Sequence, residues 1–235
     1  MSTEERKARE KQRRYNRIVD AAEKVIFSKG IEQATMEEIA REAELSKGTL
    51  YLYFKSKNEL YMAITRRGSG ILNDRFARVF GGDHTGLELI RNIGEAYIDF
   101  VKEHPHYFKS FIHYESLSDV EELRESEIAG GCEENRRQAL SFMVRALQIG
   151  MQDGSVDDRY DPRDLAMVLW SSTRGITTIT HMKGVGHYFK VLDDMEIEVS
   201  TLFENFLNLL GTGIATDQAR KKIMTDSQKN ETSEK

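Results

Sequence analysis

The sequence predicts an all-α chain: an N-terminal three-helix unit built round a helix-turn-helix, then a larger C-terminal helical bundle. Apolar residues recur at i, i+3, i+4 and i+7 along the chain, the period of amphipathic helices. Only two prolines, Pro105 and Pro162, stand among its 235 residues, so long helices are permitted. No stretch alternates apolar and polar residues as a half-buried strand does, and no internal repeat or heptad run is present. The expected divisions are a basic arm over 1–14, the helix-turn-helix unit over 15–60, a helical domain over 61–211, and a polar tail over 212–235 too poor in apolar residues to fold.

In the first helix Ile18, Ala21, Ala22, Val25 and Ile26 form the buried stripe, Phe27 widens it, and Gly30 ends it. Thr35 with Glu38 three residues later is a capping box, and behind it Met36, Ile39, Ala40 and Ala43 make the inner face of a second, two-turn helix. Glu44-Leu45-Ser46 breaks the period, and Ser46 caps a third helix whose one-face pair, Leu50 and Phe54, belongs to the core. Ser56 and Glu59 open a fourth helix through Leu60, Ile64, Ile71, Leu72, Phe76 and Val79. Gly68-Ser69-Gly70 in its middle marks either a bend or a place where another helix crosses closely.

Beyond Phe80-Gly81-Gly82, Asp83 is a candidate cap for a helix carrying Ile90, Gly94, Tyr97, Ile98 and Val101, which stops before Pro105. A short aromatic segment reaches Tyr114, and 119–128 reads as acidic and helical until Gly130-Gly131 interrupts it. A long amphipathic helix follows from Ala139 to Gly154. Asp161-Pro162 caps the next, to about Met182. The last runs from about Asp194 to Leu210 with a wide apolar face, and Gly211 stops it.

A helix-turn-helix places its second helix in the DNA major groove. The net charge of −5 argues against nucleic acid until its distribution is considered. Between Arg6 and Arg17 lie seven cations, Arg13, Arg14 and Arg17 among them, against Glu10 alone. A basic end on an acidic body orients the molecule on a polyanion, so the run is read as DNA contact rather than as a merely solvated helix start. The third helix begins Ser46-Lys47-Gly48-Thr49, where backbone amides suit phosphate and Gly48 allows close approach. Lys47 is suited to guanine O6 or N7 and Tyr51 to a thymine methyl. Tyr53 and Lys57 are placed for phosphates, which position without reading sequence.

Thr35, Ile39, Ala40, Leu45, Ser46, Gly48, Thr49, Leu50, Tyr51, Tyr53, Phe54, Ser56, Lys57 and Leu60 together resemble the DNA-binding signature of TetR/AcrR-type transcriptional regulators, over roughly residues 14–65. GTLYLYF followed by KSKNEL, behind a helix ending in Gly30, is its most specific part. The resemblance implies base contacts from Lys47, Gly48 and Tyr51, and phosphate contacts from Thr35, Thr49, Tyr53 and Lys57. Glu37 departs from it, standing where some relatives carry a basic, base-contacting side chain; it can accept only from cytosine or be idle. The resemblance further implies a homodimer on a double-stranded operator, a small-molecule effector of unknown identity, and a repressor released by it. The helices over roughly 162–182 and 194–210 would then form the dimer interface.

For that effector the candidate pocket residues are Phe76, Tyr97, Phe100, Phe108, Phe111, Phe142, Met143, Trp170, Arg174 and Thr177, although residues of these types are more often plain core. Arg174, near the sole tryptophan, suits an anionic head group or, the favoured reading, a carboxylate across a dimer interface. Catalysis is not expected. His104, His106 and His113 are scattered about Pro105, His181 and His187 sit by glycines, and no nucleophile elbow, phosphate loop or metal-ligand spacing appears. No cofactor or metal is expected. A single cysteine, Cys132, a charged N-terminus and no apolar run near the roughly 20 residues of a span make the cytoplasm the expected location, with no membrane partner. The alternative function is an effector-independent architectural or activating DNA-binding protein.

Overall fold

A computed structural model describes residues 2–116, 126–185 and 198–220. Its helices among these residues are α1 Thr3–Lys29, α2 Met36–Glu42, α3 Lys47–Tyr51, α4 Lys57–Val79, α5 Gly86–Glu103, α6 Pro105–Ser116, α7 Glu127–Asp153, α8 Pro162–Val185 and α9 Val199–Ile214, with one further helical turn over 217–220. The only extended pairing among them is an isolated bridge between Val156 and Ala215, and the fold is all-α as the periodicity predicts. Expectations for 119–125, His187, the start of the last helix and residues 221–235 lie outside the described residues.

Two compact units divide the chain: residues 1–71 with 104–135, and residues 72–103 with 136–235. In the first, Ile18, Ala22 and Ile26 of α1, Ile39 and Ala40 of α2, Leu50 of α3, Phe54, and Leu60 and Ile64 of α4 form one buried cluster. Leu50 and Phe54 are both 0 % exposed, as their spacing predicts. Gly30 ends α1 at φ 83°, a left-handed value that a side chain resists, and its amide closes on the Ile26 carbonyl at 2.8 Å. Of the two readings of Gly68, close crossing holds: α4 runs unbroken, and a Cβ at Gly68 would lie 2.8 Å from the Tyr107 ring of α6.

The structure changes several local expectations. Residues 3–14 of the basic arm form the first three turns of α1, started by a Ser2–Glu5 capping box. Gly130 and Gly131 do not interrupt α7, which runs on through both despite a cost of about 1 kcal/mol per glycine. In the second unit, Thr85 rather than Asp83 caps α5, with Glu88 N–H donating to its hydroxyl and the Glu88 carboxylate reaching back. Two further donors at that end are satisfied by Asp153 and Ser155, the Gly86 and Leu87 amides donating at 2.8 and 3.1 Å. Asp161 does cap α8 above Pro162, accepting from the Arg163 and Asp164 amides. Those two bonds hold its carboxyl below the ordinary range. The last helix passes Gly211 and ends at Ile214.

Candidate functional site

The helix-turn-helix is assembled from local chemistry. The Thr35 hydroxyl accepts from the Glu38 amide at 3.2 Å, and the Glu38 carboxylate accepts from the Thr35 amide at 3.0 Å. Bonds from the Lys29 ammonium and then from Thr35 hold the Glu38 carboxyl down at about 2. At the other end of α2 the Leu45 amide donates to the Ala40 carbonyl at 2.9 Å and the Glu44 amide to the Arg41 carbonyl at 3.0 Å. That pair of bonds is a Schellman closure, with Glu44 at φ 50° in the left-handed position where glycine is usual. Ser46 then caps α3, accepting from the Thr49 amide at 3.1 Å, and the two hydroxyls lie 2.8 Å apart.

This frame separates the faces of α3. Leu50 is wholly buried, whereas its neighbour Tyr51 is 44 % exposed and Leu52 is 84 % exposed. Lys47 and Gly48 are exposed with Tyr51, and a Cβ at Gly48 would meet only the Ser46 hydroxyl, at 3.9 Å. Tyr53 is half-buried against the core cluster. The Lys57 ammonium donates to the Glu32 and Ala34 carbonyls at 3.2 and 3.0 Å, bracing the α1–α2 connection and leaving one of its three N–H groups. On α1 the exposed Arg14 pairs with Glu10 at 2.9 Å, Arg17 donates to Glu44 of the turn, and Arg13 stands exposed beside them. The ties from Arg17 to Glu44 and from Lys57 to the loop span more than twenty residues, so no periodicity announces them. The Glu37 carboxylate lies 4.0 Å from the Lys47 ammonium.

Behind this surface runs a polar network that sequence reading missed. Arg67 of α4 donates to Asp20 at 2.7 Å and to Glu23 at 2.8 Å on α1, and the Tyr107 hydroxyl of α6 donates to Glu23 at 2.9 Å. Burial raises the Glu23 carboxyl above the ordinary range although both partners pull it down. Burial, with the nearby Glu23 charge, pushes the Tyr107 phenol up to about 12.

In the second unit one small cavity of about 30 Å³ gathers Phe76, Tyr97, Met143, Trp170 and Arg174 from the predicted set. Ile93, Gly94, Ala139, Leu169 and Thr173 complete its wall, and no sequence signal sets these apart from other core positions. The Tyr97 and Trp170 rings lie 6.4 Å apart. The remaining candidates are elsewhere. Phe100 is buried under the Arg75 guanidinium, and Phe142 packs against Phe76 and Phe80. Thr177 turns its hydroxyl onto the Thr173 and Arg174 carbonyls of its own helix. Phe108 and Phe111 belong to the first unit, Phe108 as buried core. Among the described residues no group of three His, Cys, Asp or Glu is placed to hold a metal, and no helix is long and apolar enough to cross a membrane.

A capped two-turn helix, a left-handed turn and a short helix with one exposed face define a helix-turn-helix DNA-binding protein. Family models agree with that class: residues 18–64 match the bacterial regulatory proteins of the tetR family, and 90–202 match a tetracyclin repressor-like C-terminal domain. The chain belongs to the TetR/AcrR family, and is a DNA-binding transcriptional regulator, not an enzyme. It is 25% identical over 208 residues to the fatty acid metabolism regulator protein of Bacillus subtilis, covering 88% of this chain and 98% of that one. The structure of the transcriptional regulator FadR from Bacillus subtilis in complex with stearoyl-CoA superposes with a TM-score of 0.60 at 23% identity, covering 85% of this chain and 99% of that chain. AibR in complex with isovaleryl coenzyme A and operator DNA gives a TM-score of 0.57 at 20% identity, with 83% and 97% covered.

Proposed function

We propose that the protein is a cytoplasmic, homodimeric repressor that holds an inverted-repeat operator through α3 of each subunit and leaves it when an acyl-coenzyme A enters the cavity of the second unit. The observation that carries this reading is the division of α3 into a buried anchor, Leu50, and an exposed strip of Lys47, Gly48 and Tyr51. Lys47, Gly48 and Tyr51 take the base edges. Thr49, Ser46, Tyr53, Thr35 and the remaining Lys57 N–H take phosphates, together with Arg13, Arg14 and Arg17 from α1.

Dimerisation is supported by large apolar residues left in solvent on the last two helices: Met167 at 49 % and Val168 at 58 % on α8, and Leu209 at 73 % on α9. Two α3 helices must then lie roughly 34–36 Å apart to enter successive major grooves.

The effector reading rests on an apolar cavity that holds one cation, Arg174, beside the sole tryptophan, and on the thioesters bound by two structures of the same fold. At about 30 Å³ the cavity is far too small for an acyl chain, so binding one requires a wider arrangement of the helices around it. An effector that binds only the wider arrangement lowers DNA affinity by its differential binding energy. Helix α4 contributes Ile64 to the first unit's core and Phe76 to the cavity wall, so it carries the change.

The test is to mix the purified protein with sheared DNA from its source organism at about 0.15 M salt, sequence what it retains, and repeat with long- and short-chain acyl-coenzyme A present. An inverted repeat lost on adding one of these thioesters supports the reading. Retention without a shared site, unchanged by any thioester, identifies an architectural binder instead.

A further inference from the structure

Glu37 in the first turn of α2 and Lys47 at the first position of α3 both stand in solvent, their side chains 73% and 57% exposed. Their charged ends lie 4.0 Å apart. A solvated ion pair at that spacing contributes little to stability, so the pairing is not explained by the fold it decorates. On the DNA-facing side a carboxylate also meets phosphate repulsion unless a base donor engages it. In the major groove the available donors are the amino groups of cytosine and adenine.

We propose that Glu37 and Lys47 act as one unit that reads a G·C base pair in each operator half-site, the Lys47 ammonium donating to guanine O6 and N7 and the Glu37 carboxylate accepting from cytosine N4. The inference rests on the helix-turn-helix reading above. The major-groove edge of a G·C pair presents two acceptors and then a donor, side by side. An ammonium beside a carboxylate is the complementary set. An A·T pair places an amino donor at the purine 6-position, against the ammonium, and a carbonyl and a methyl group where the carboxylate would lie. Glu37 thus becomes a specificity-determining residue, not a mere neutraliser of Lys47. Removing it leaves the Lys47 ammonium free to reach a phosphate or any major-groove acceptor, adenine N7 and thymine O4 included.

The experiment selects sites from randomised duplex DNA with the full-length wild type, Glu37→Gln and Glu37→Ala, each checked by circular dichroism for retained helix. The wild type is expected to enrich an inverted repeat with a fixed G·C pair in each half-site. Glu37→Gln, whose amide suits adenine, should lower the preference for that pair about tenfold, with the rest of the site unchanged. Identical half-site preferences in wild type and both variants overturn the inference while leaving the helix-turn-helix reading intact. No enriched site for the wild type overturns that reading and the inference with it.

Discussion

The Tyr107 hydroxyl donates to the Glu23 carboxylate at 2.9 Å, while Arg67 donates to the other oxygen of the same group at 2.8 Å. One carboxylate on α1 therefore fastens α6 and α4 inside the unit that carries the recognition helix. The ring that makes this contact also fills the space left by Gly68.

Replacing Tyr107 by Phe keeps the ring against Gly68 and removes one hydrogen bond to a charged group, a loss of about 1.5–3 kcal/mol. Glu23→Gln should cost at least as much, because Arg67 then keeps only Asp20 as a charged partner. Urea unfolding measures both. Two variants as stable as the wild type would show that the network is incidental.

Glu44 stands in a left-handed conformation that costs a side chain about 1–2 kcal/mol. Glu44→Gly should relieve most of this and raise the melting temperature by several degrees, in part offset by loss of the contact with Arg17. Because salt screens that exposed pair, the gain should be larger at high ionic strength. A variant that melts lower than wild type in high salt contradicts the assignment.

His113 lies edge-on to Tyr61 at 4.6 Å, and burial holds its imidazole below the ordinary value of 6.5, against the pull of Glu32. The folded state therefore takes up its proton at lower pH than the unfolded chain does. Its contribution to stability is present above about 6.5 and is lost as pH falls through that value toward the depressed folded one. His113→Phe keeps a ring beside Tyr61 and removes the titration. Its stability should fall less steeply than wild type between pH 7 and 5 in chemical unfolding, and parallel curves would exclude His113 as a source of acid sensitivity.

On DNA, Tyr51→Ala should relax sequence preference, whereas Arg13→Ala should weaken all sequences alike and reduce the salt slope by about one unit. Lys57→Ala should do the second and also lower the melting temperature, since its ammonium braces the Glu32 and Ala34 carbonyls. Anisotropy titrations over a salt series, with melts of the free proteins, separate the three. Equal losses on operator and random DNA for Tyr51→Ala would remove it from the reading surface.

The parts of this fold that were legible in the sequence are those fixed within a few residues. Thr35 with Glu38, Ser46, Ser56 and Asp161 announce helix starts because a cap and its amide are three residues apart. Leu50 and Phe54 announce the core through helical period. Glu44 hid its turn because glutamate, unlike glycine, does not advertise a left-handed residue. Gly130-Gly131 advertised a break that α7 does not make. The contact of Glu37 with Lys47 joins two helices and that of Arg17 with Glu44 joins α1 to the turn, so no local pattern holds them. The cavity was half legible for the same reason. Helical spacing marks Phe108 and Trp170 alike as inward-facing, but not that they serve different compact units.

Control of operator binding through the second unit's cavity is read out by one titration with two signals. Trp170 is the sole tryptophan and lines that cavity, so its emission reports the ligand, while the anisotropy of a labelled operator reports DNA. The expectation is that a long-chain acyl-coenzyme A changes both signals together, and that Arg174→Met weakens both responses about tenfold or more with the mass in solution unchanged. Operator that stays bound while Trp170 emission saturates, or emission that never responds to any thioester, contradicts it.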